Sequence, residues 1–193
     1  MLALEINRIQ TNPMKKFLFA LLMSGFYLSL GSKTVIHAGY LFNTDNASIE
    51  PEMSILIEND IILDVLAGYI SPETDDLYID LTGYYILPGL IDMHVHLTSQ
   101  SSSRAYIERT TLNAADYAIR ATKNAEKTLL AGFTSVRNLG DADSITISLR
   151  NAINKGVALG PRIFSSGTTI STTGGHGDPT NSLNLNFTSD PGP

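Results

Sequence analysis

The order of apolar segments changes after Pro88 and Gly89, and this change restricts the possible folds more than any other feature of the sequence. From that point strand-like and helix-like patterns alternate along the chain: strand 90–97, helix 115–129, strand 133–139, helix 145–153 and strand 162–166. Gly132 and Gly156 follow the two helices, where a glycine is a typical C-terminal stop. Strands that alternate with helices form a parallel sheet with helices packed outside it, so the sequence predicts an α/β fold.

Apolar and small residues recur at helical spacing in both predicted helices. This period marks the side of a helix that packs against a core. We expect the first helix to bury one stripe, and the second to bury another: Ala115, Ala118, Ile119, Thr122, Ala125 and Leu129, then Ile145, Leu149, Ala152 and Ile153. Beyond Gly167 the chain is rich in Gly, Ser, Thr, Asn and Pro, which predicts a loop.

The segment before Pro88 has a different pattern, with short apolar runs separated by turn residues. These runs predict strands at 34–36, 54–57, 61–65, 77–81 and 84–87. Asn59 and Asp60 lie between the second and third runs, and both residue types tolerate the left-handed backbone angles of a hairpin turn. Gly83 separates the last two runs. We therefore predict a small β-domain over residues 33–87.

Composition excludes several classes of function. The chain has no cysteine, which rules out disulfides, cysteine-bound zinc and a cysteine nucleophile. A metal site would have to use His, carboxylate or modified Lys side chains. The formal net charge of -6 argues against nucleic acid as a partner, because phosphate binding needs a basic surface.

Residues 1–31 contain the features of a secretory signal peptide. Lys15 and Lys16 precede an uncharged apolar stretch, 17–31, which ends in small residues. This stretch is shorter than the roughly 18 residues that a membrane-spanning helix needs, so we expect contact with the membrane only during export. Met14 is the natural start of such a leader, and residues 1–13 would then be a spurious extension. The expected location is periplasmic or extracellular.

Two of the four histidines are separated by one residue on a predicted strand. Side chains of a strand alternate between its faces, so His94 and His96 are expected on one face, where both rings can reach a common divalent metal such as zinc. Asp92 has the same parity and is a candidate for orienting a ligand. The pair lies at the carboxyl end of its strand, where β/α barrels build their active sites. His37 has no partner at ligand spacing, and we expect it to be a structural or surface residue.

The sequence around this pair resembles the amidohydrolase superfamily. Residues 87–96, LPGLIDMHVH, resemble the first barrel strand of that superfamily, residues 131–140 the second, and residues 160–163 with 173–177 the third strand and its loop. The branch that it most resembles comprises imidazolonepropionase-like enzymes and exported dipeptidases acting on Xaa-Pro or Xaa-Arg substrates. One position departs from the pattern, because Asn138 stands where that branch often has Asp.

The resemblance implies a fold and a chemistry. The fold would be a partial (β/α)8 TIM-like barrel, comprising its first three strands over residues 88–193, preceded by a small β-sandwich. His94 and His96 would hold one or two metal ions that activate water for hydrolysis of a C–N bond in a small amide, dipeptide or cyclic amide. His176 would contact substrate or remain a solvated loop residue, and Arg137 would face a substrate carboxylate or form a structural ion pair. No catalytic residue is assigned.

A complete barrel of this kind needs about 250 residues, whereas the whole chain has 193. The family's remaining metal ligands belong to later strands. We therefore expect the chain to be the N-terminal portion of an exported amidohydrolase. Two alternatives stay open: a deaminase of the same superfamily, which uses a single metal, and an inactive exported remnant that acts as a binding surface. The sequence predicts no oligomeric state.

Overall fold

A computed structural model describes residues 32–178 and residue 180. The predicted leader, residues 1–31, and the end of the predicted C-terminal loop lie outside these described residues. The described part divides into two compact units, with the boundary between Leu87 and Pro88. Within it, no helix combines the length and the apolar character that crossing a membrane requires.

The first unit is built on a four-stranded sheet in the order β3-β2-β1-β4. Its strands are β1 (Thr34–Asn43), β2 (Ser48–Glu58), β3 (Ile61–Ala67) and β4 (Leu77–Ile86). β2 pairs antiparallel with both β1 and β3, whereas β1 pairs parallel with β4. Asn59 and Asp60 have φ angles of 49° and 64°, which confirms the predicted left-handed hairpin turn. A sandwich requires two sheets packed face to face, and the described residues of the first unit form only this one sheet, so the sandwich stays a prediction.

The predicted break at Gly83 is wrong, because β4 continues through it. The strand absorbs the irregularity as a bulge: Ala38 pairs with Leu81 and Tyr40 pairs with Tyr85, so β4 has two more residues than β1 over this interval. Gly39 makes this possible, because a Cβ there would lie 2.0 Å from the carbonyl oxygen of Thr82. The two backbones approach closely only because Gly39 has no side chain.

The second unit is a three-stranded parallel sheet in the order β5-β6-β7. Its elements are β5 (Leu90–Val95), α1 (Ala105–Thr111), α2 (Ala114–Leu130), β6 (Phe133–Asn138), α3 (Ile145–Asn154) and β7 (Arg162–Ser165). The three strands and two longer helices confirm the predicted alternation, while the short helix α1 was not predicted. The core between sheet and helices contains Leu97, Ala121, Ala125, Val136, Ile145, Leu149 and Ile163.

The predicted buried stripe is correct for α3 and partly wrong for α2. Ile145 and Leu149 belong to the core. In α2, however, Ala115 and Ala118 are exposed, and Ile119 is 74% exposed. The helix is rotated so that Tyr117, Ala121, Asn124 and Ala125 face the sheet. Because Asn124 is polar, apolar periodicity did not identify this side of the helix as the buried one.

Candidate metal centre

His94 and His96 lie together at the carboxyl end of β5. Their ring centroids are 5.4 Å apart and the ring planes make an angle of 66°. Both side chains are exposed, so both are accessible to an ion from solvent. This separation allows the two rings to reach a common ion.

A hydrogen bond fixes the chemical form of the His96 ring. Its Nδ1 lies 3.1 Å from the carbonyl oxygen of Gly140. Because a carbonyl oxygen only accepts, Nδ1 must carry the proton, and in the neutral ring the lone pair is then on Nε2. A histidine that donates one N–H to a carbonyl and presents the other nitrogen is prepared for metal binding.

The ladder between β5 and β6 is irregular at the histidines. Asp92 pairs with Val136 and Val95 pairs with Asn138, so β5 advances three residues while β6 advances two. Asp92 and Val95 therefore lie on the same, helix-facing side of the sheet, and the predicted common face of Asp92 and the histidines is wrong. Asp92 instead accepts, through Oδ1, a hydrogen bond of 3.0 Å from the backbone N–H of His94.

Buried polar side chains support the backbone directly after His96. The Oδ1 of Asn138 accepts the Leu97 N–H at 2.9 Å, and the Nδ2 of Asn124 donates to the Leu97 carbonyl at 2.7 Å. Asn138 is fully buried, and Asn124 is nearly so. Both backbone polar groups of Leu97 are therefore satisfied inside the core by side chains from two different elements.

The amide of Asn138 continues into a second set of contacts. Its Nδ2 lies 3.2 Å from the hydroxyl of Thr146 and 3.4 Å from Oδ2 of Asp141. The Thr146 hydroxyl also hydrogen-bonds Asp141 Oδ2 and, at 2.7 Å, the Ser165 hydroxyl. Sequence reasoning missed Asn124, Asp141, Thr146 and Ser165, because isolated polar residues form no motif, and it identified Asn138 only as a departure from a family pattern.

Arg137 donates a hydrogen bond to a backbone carbonyl, which is not the structural ion pair that the sequence left open. Its Nε donates to the carbonyl of Met93 at 2.7 Å, which ties β6 to β5. The side chain is exposed and lines a cavity of about 590 Å³ along β7, together with Arg150, Arg162 and Phe164. A second cavity, of about 310 Å³, lies beside His96 and is lined by residues that include Asp92 and Lys127.

His176 is exposed in the loop after β7. Asp178 closes the turn around it by accepting the Gly174 N–H at Oδ2 (2.6 Å) and the Thr180 N–H at Oδ1 (2.9 Å). Hydrogen bonds from the Gly174 backbone, and then from Thr180, lower the pKa of the Asp178 carboxyl. Within the described part of the chain, no set of three His or carboxylate residues is arranged to hold a metal, so His176 does not complete a site with the pair.

The remaining histidine, His37, is a structural residue of the first unit, as predicted. It is buried, with Nε2 2.8 Å from the carbonyl of Ile70 and Nδ1 3.0 Å from the hydroxyl of Tyr78. The carbonyl must receive the Nε2 proton, so Nδ1 accepts from Tyr78. Tyr69 stacks on the ring with a centroid distance of 4.8 Å.

Comparison with known families adds to this geometry. Residues 85–191, more than half of the chain, match the model of the amidohydrolase family. The chain belongs to the amidohydrolase family. The match begins just before β5 and includes the histidine pair, Asn138 and His176. No curated protein sequence matched the chain.

Solved structures with the same fold include several hydrolases. A Xaa-Pro dipeptidase with methionine bound in its active site is 45% identical, with a TM-score of 0.75 over 83% of this chain and 39% of its own. A prolidase in complex with N-methylphosphonate-L-proline is 33% identical, with a TM-score of 0.66 over 76% and 35%. Molinate hydrolase is 29% identical, with a TM-score of 0.61 over 72% and 31%. The chain thus spans less than two fifths of the length of these structures.

Proposed function

We propose that this chain is part of a metal-dependent hydrolase that cleaves C–N bonds in small amides, dipeptides or cyclic amides. The observation that carries the proposal is the His94–His96 pair, in which the Nδ1 of His96 is engaged by Gly140 and Nε2 is left for a metal. The similar Xaa-Pro dipeptidase and prolidase favour a dipeptide substrate.

The two histidines fit a zinc site but do not complete one. Imidazole nitrogen is a preferred zinc ligand, and catalytic zinc sites generally have three protein ligands and one open position. Further ligands, for one ion or two, would come from residues outside the described part of the chain. When bound, the metal would supply Lewis-acid activation of water and of the scissile carbonyl.

The other residues of the site have proposed roles that follow from their contacts. Asp92 holds the backbone of the pair through the His94 N–H. Arg137 is exposed and carries a positive charge, which suits the carboxylate of a dipeptide. For His176, exposed in a loop that Asp178 organises, the proposed role is a hydrogen bond with substrate.

We also propose a larger context for the chain. The parallel strands β5, β6 and β7 would be the first three of a (β/α)8 barrel, and residues 33–87 would contribute to a β-sandwich. This placement rests on the family match and on the solved structures, which are more than twice as long as the part that this chain covers. The leader pattern of residues 15–31 supports export to the periplasm or beyond. N-terminal sequencing of the mature protein tests export. A mature protein that still begins at Met1 or Met14 would contradict it.

Metal titration of the purified chain tests the proposed site. We expect Zn²⁺ to bind, and His94→Ala and His96→Ala each to weaken binding by at least about tenfold, because each removes one ligand. His176→Ala is the matched control, since it removes a histidine that is not a proposed ligand. Equal zinc affinity in the His94 and His176 variants would contradict the proposal. Hydrolysis of Xaa-Pro dipeptides by the intact enzyme, lost on chelation, would identify the reaction.

A further inference from the structure

We propose that Asn138 is a positioning residue, which sets the ring orientation and tautomer of His96 by holding the backbone on both sides of that ring. Two backbone segments are held: the one that carries His96, and the one that carries Gly140, whose carbonyl accepts a hydrogen bond from the Nδ1 of His96. The expected effect on Zn²⁺ binding rests on the proposed metal site. The effect on the His96 ring does not, because it is measurable in the metal-free chain.

The first contact is between Asn138 and the residue after His96. Asn138 Oδ1 accepts the Leu97 N–H at 2.9 Å inside the core. Because a backbone N–H only donates, this contact fixes which end of the amide is oxygen. The backbone at the carboxyl side of His96 is therefore held by a buried side chain from β6.

The second contact is between the other end of the amide and the segment that carries Gly140. Asn138 Nδ2 faces Asp141 Oδ2 and the Thr146 hydroxyl at 3.4 and 3.2 Å. Thr146 Oγ1 in turn hydrogen-bonds the hydroxyl of Ser165 at 2.7 Å. The fully buried Asn138 side chain therefore links the loops that follow β5 and β6, and Thr146 extends this link to the end of β7.

Gly140 lies between these attachments and has little freedom to move. The Leu139 N–H donates to the Val95 carbonyl at 3.2 Å, and the Asp141 N–H donates to the Gly167 carbonyl at 2.9 Å. Gly140 itself has a φ of 143°, in the region that favours glycine. Leu139 and Asp141 are both hydrogen-bonded through their backbone N–H groups, and Asn138 also contacts the Asp141 side chain. These contacts hold the Gly140 carbonyl in position to accept from the Nδ1 of His96.

The contacts also explain why an amide suits this position. An amide accepts at one end and donates at the other, as Leu97 and Asp141 require. An aspartate at 138 would place a second carboxylate within 3.4 Å of Asp141, where a donor now lies. The asparagine at this position is therefore matched to Asp141 in this chain.

The test compares three variants of the full chain by ¹⁵N NMR of the histidine rings without metal, and then by Zn²⁺ titration. Asn138→Ala removes both ends of the link. Thr146→Val keeps the side-chain shape and removes the hydroxyl that joins Asn138 to Asp141. Leu149→Ala is the stability control, because it creates a cavity in the same core without touching these contacts. A fourth variant, His96→Gln, serves only to assign the His96 signals.

In the unaltered chain we expect neutral His96 to be protonated at Nδ1. Asn138→Ala should shift the tautomer ratio toward Nε2–H by about five- to tenfold, the equivalent of one ordinary hydrogen bond, and should weaken Zn²⁺ binding about tenfold or more. Thr146→Val should produce a smaller shift in the same direction, and it decides the question if Asn138→Ala does not fold. Leu149→Ala should change neither reading.

Two outcomes would overturn the inference. One is an unchanged His96 tautomer in the folded Asn138 variant or, if that variant does not fold, in Thr146→Val. The other is an equal change in Leu149→Ala, which would indicate a general loss of stability. A chain that binds no Zn²⁺ but shows the tautomer shift would contradict the proposed metal site and still support the positioning role, so the two failures are distinguishable.

Discussion

Removing the Asp141 carboxylate should destabilise the second unit by about 2 kcal/mol, which is more than the loss of an exposed helix cap. Helix α3 begins at Ile145, and Ser144 makes no side-chain cap. Asp141 performs that role from upstream, because its Oδ2 accepts the Thr146 N–H at 3.3 Å and also the Thr146 hydroxyl. A carboxylate is favourable at the N-terminus of a helix, because the first N–H groups there lack partners and carry partial positive charge.

The magnitude follows from what Asp141→Ala removes. Loss of the backbone cap costs about 1 kcal/mol, and loss of a hydrogen bond to a charged acceptor costs about 1.5–3 kcal/mol. Two effects reduce the total. The Thr146 hydroxyl can still bond Ser165, and the variant also removes Asp141 Oδ1, which has no partner among the described residues. We therefore expect a net loss of about 2 kcal/mol, with Asp141→Asn losing about 1 kcal/mol.

Urea unfolding followed by circular dichroism at 222 nm measures this loss, because every described helix belongs to the second unit. Asp116→Ala is the matched control. Its carboxylate caps α2 by accepting the Asn113 N–H at 2.9 Å, but it is exposed to solvent, so its loss should cost at most about 1 kcal/mol. Equal losses in the two variants, or a loss below about 0.5 kcal/mol for Asp141→Ala, would refute the argument from burial.

Three further predictions concern other positions. Gly140→Ala should lower the melting temperature of the second unit and broaden the His96 ring signals in NMR, because its Cβ would lie 2.1 Å from the Thr169 hydroxyl; an unchanged melting curve would contradict this. Hydrogen bonds lower the pKa of Asp178, so the contribution of its carboxylate to loop order is present above the unfolded pKa of about 3.9. This contribution is lost as pH falls through the pKa of the folded state. In an NMR titration the Gly174 amide signal should therefore move only in that acidic range. His37→Phe should destabilise the first unit by about 2 kcal/mol, since it removes two hydrogen bonds of the buried ring, each worth about 1 kcal/mol. Near-ultraviolet circular dichroism of the tyrosines during urea unfolding measures this loss.

The sequence predicted most of the local structure of this chain. The alternation of apolar runs after Pro88 predicted three strands and two helices, and the structure has them. The Asn59–Asp60 turn was predicted because those residue types tolerate positive φ. The short helix α1 was missed, since its seven residues give no clear period.

The prediction of the site was accurate for adjacent residues and incomplete for distant ones. Spacing alone identified His94 and His96 as neighbours, and their rings are 5.4 Å apart. The same rule misplaced Asp92, because the β5–β6 ladder has a bulge that only strand pairing reveals. The roles of these residues in metal and substrate binding stay predictions.

By itself, the sequence determined most of the strands, the two longer helices and which two histidines form a pair, because hydrophobic period and residue spacing act within a few residues of one another. Only the tertiary structure decided which face of α2 is buried, where the β5 ladder slips, and that Asn138 joins Leu97 to Asp141 and Thr146. These features depend on contacts between segments distant in sequence. A buried amide must find both donors and acceptors, and only the folded chain brings them within reach.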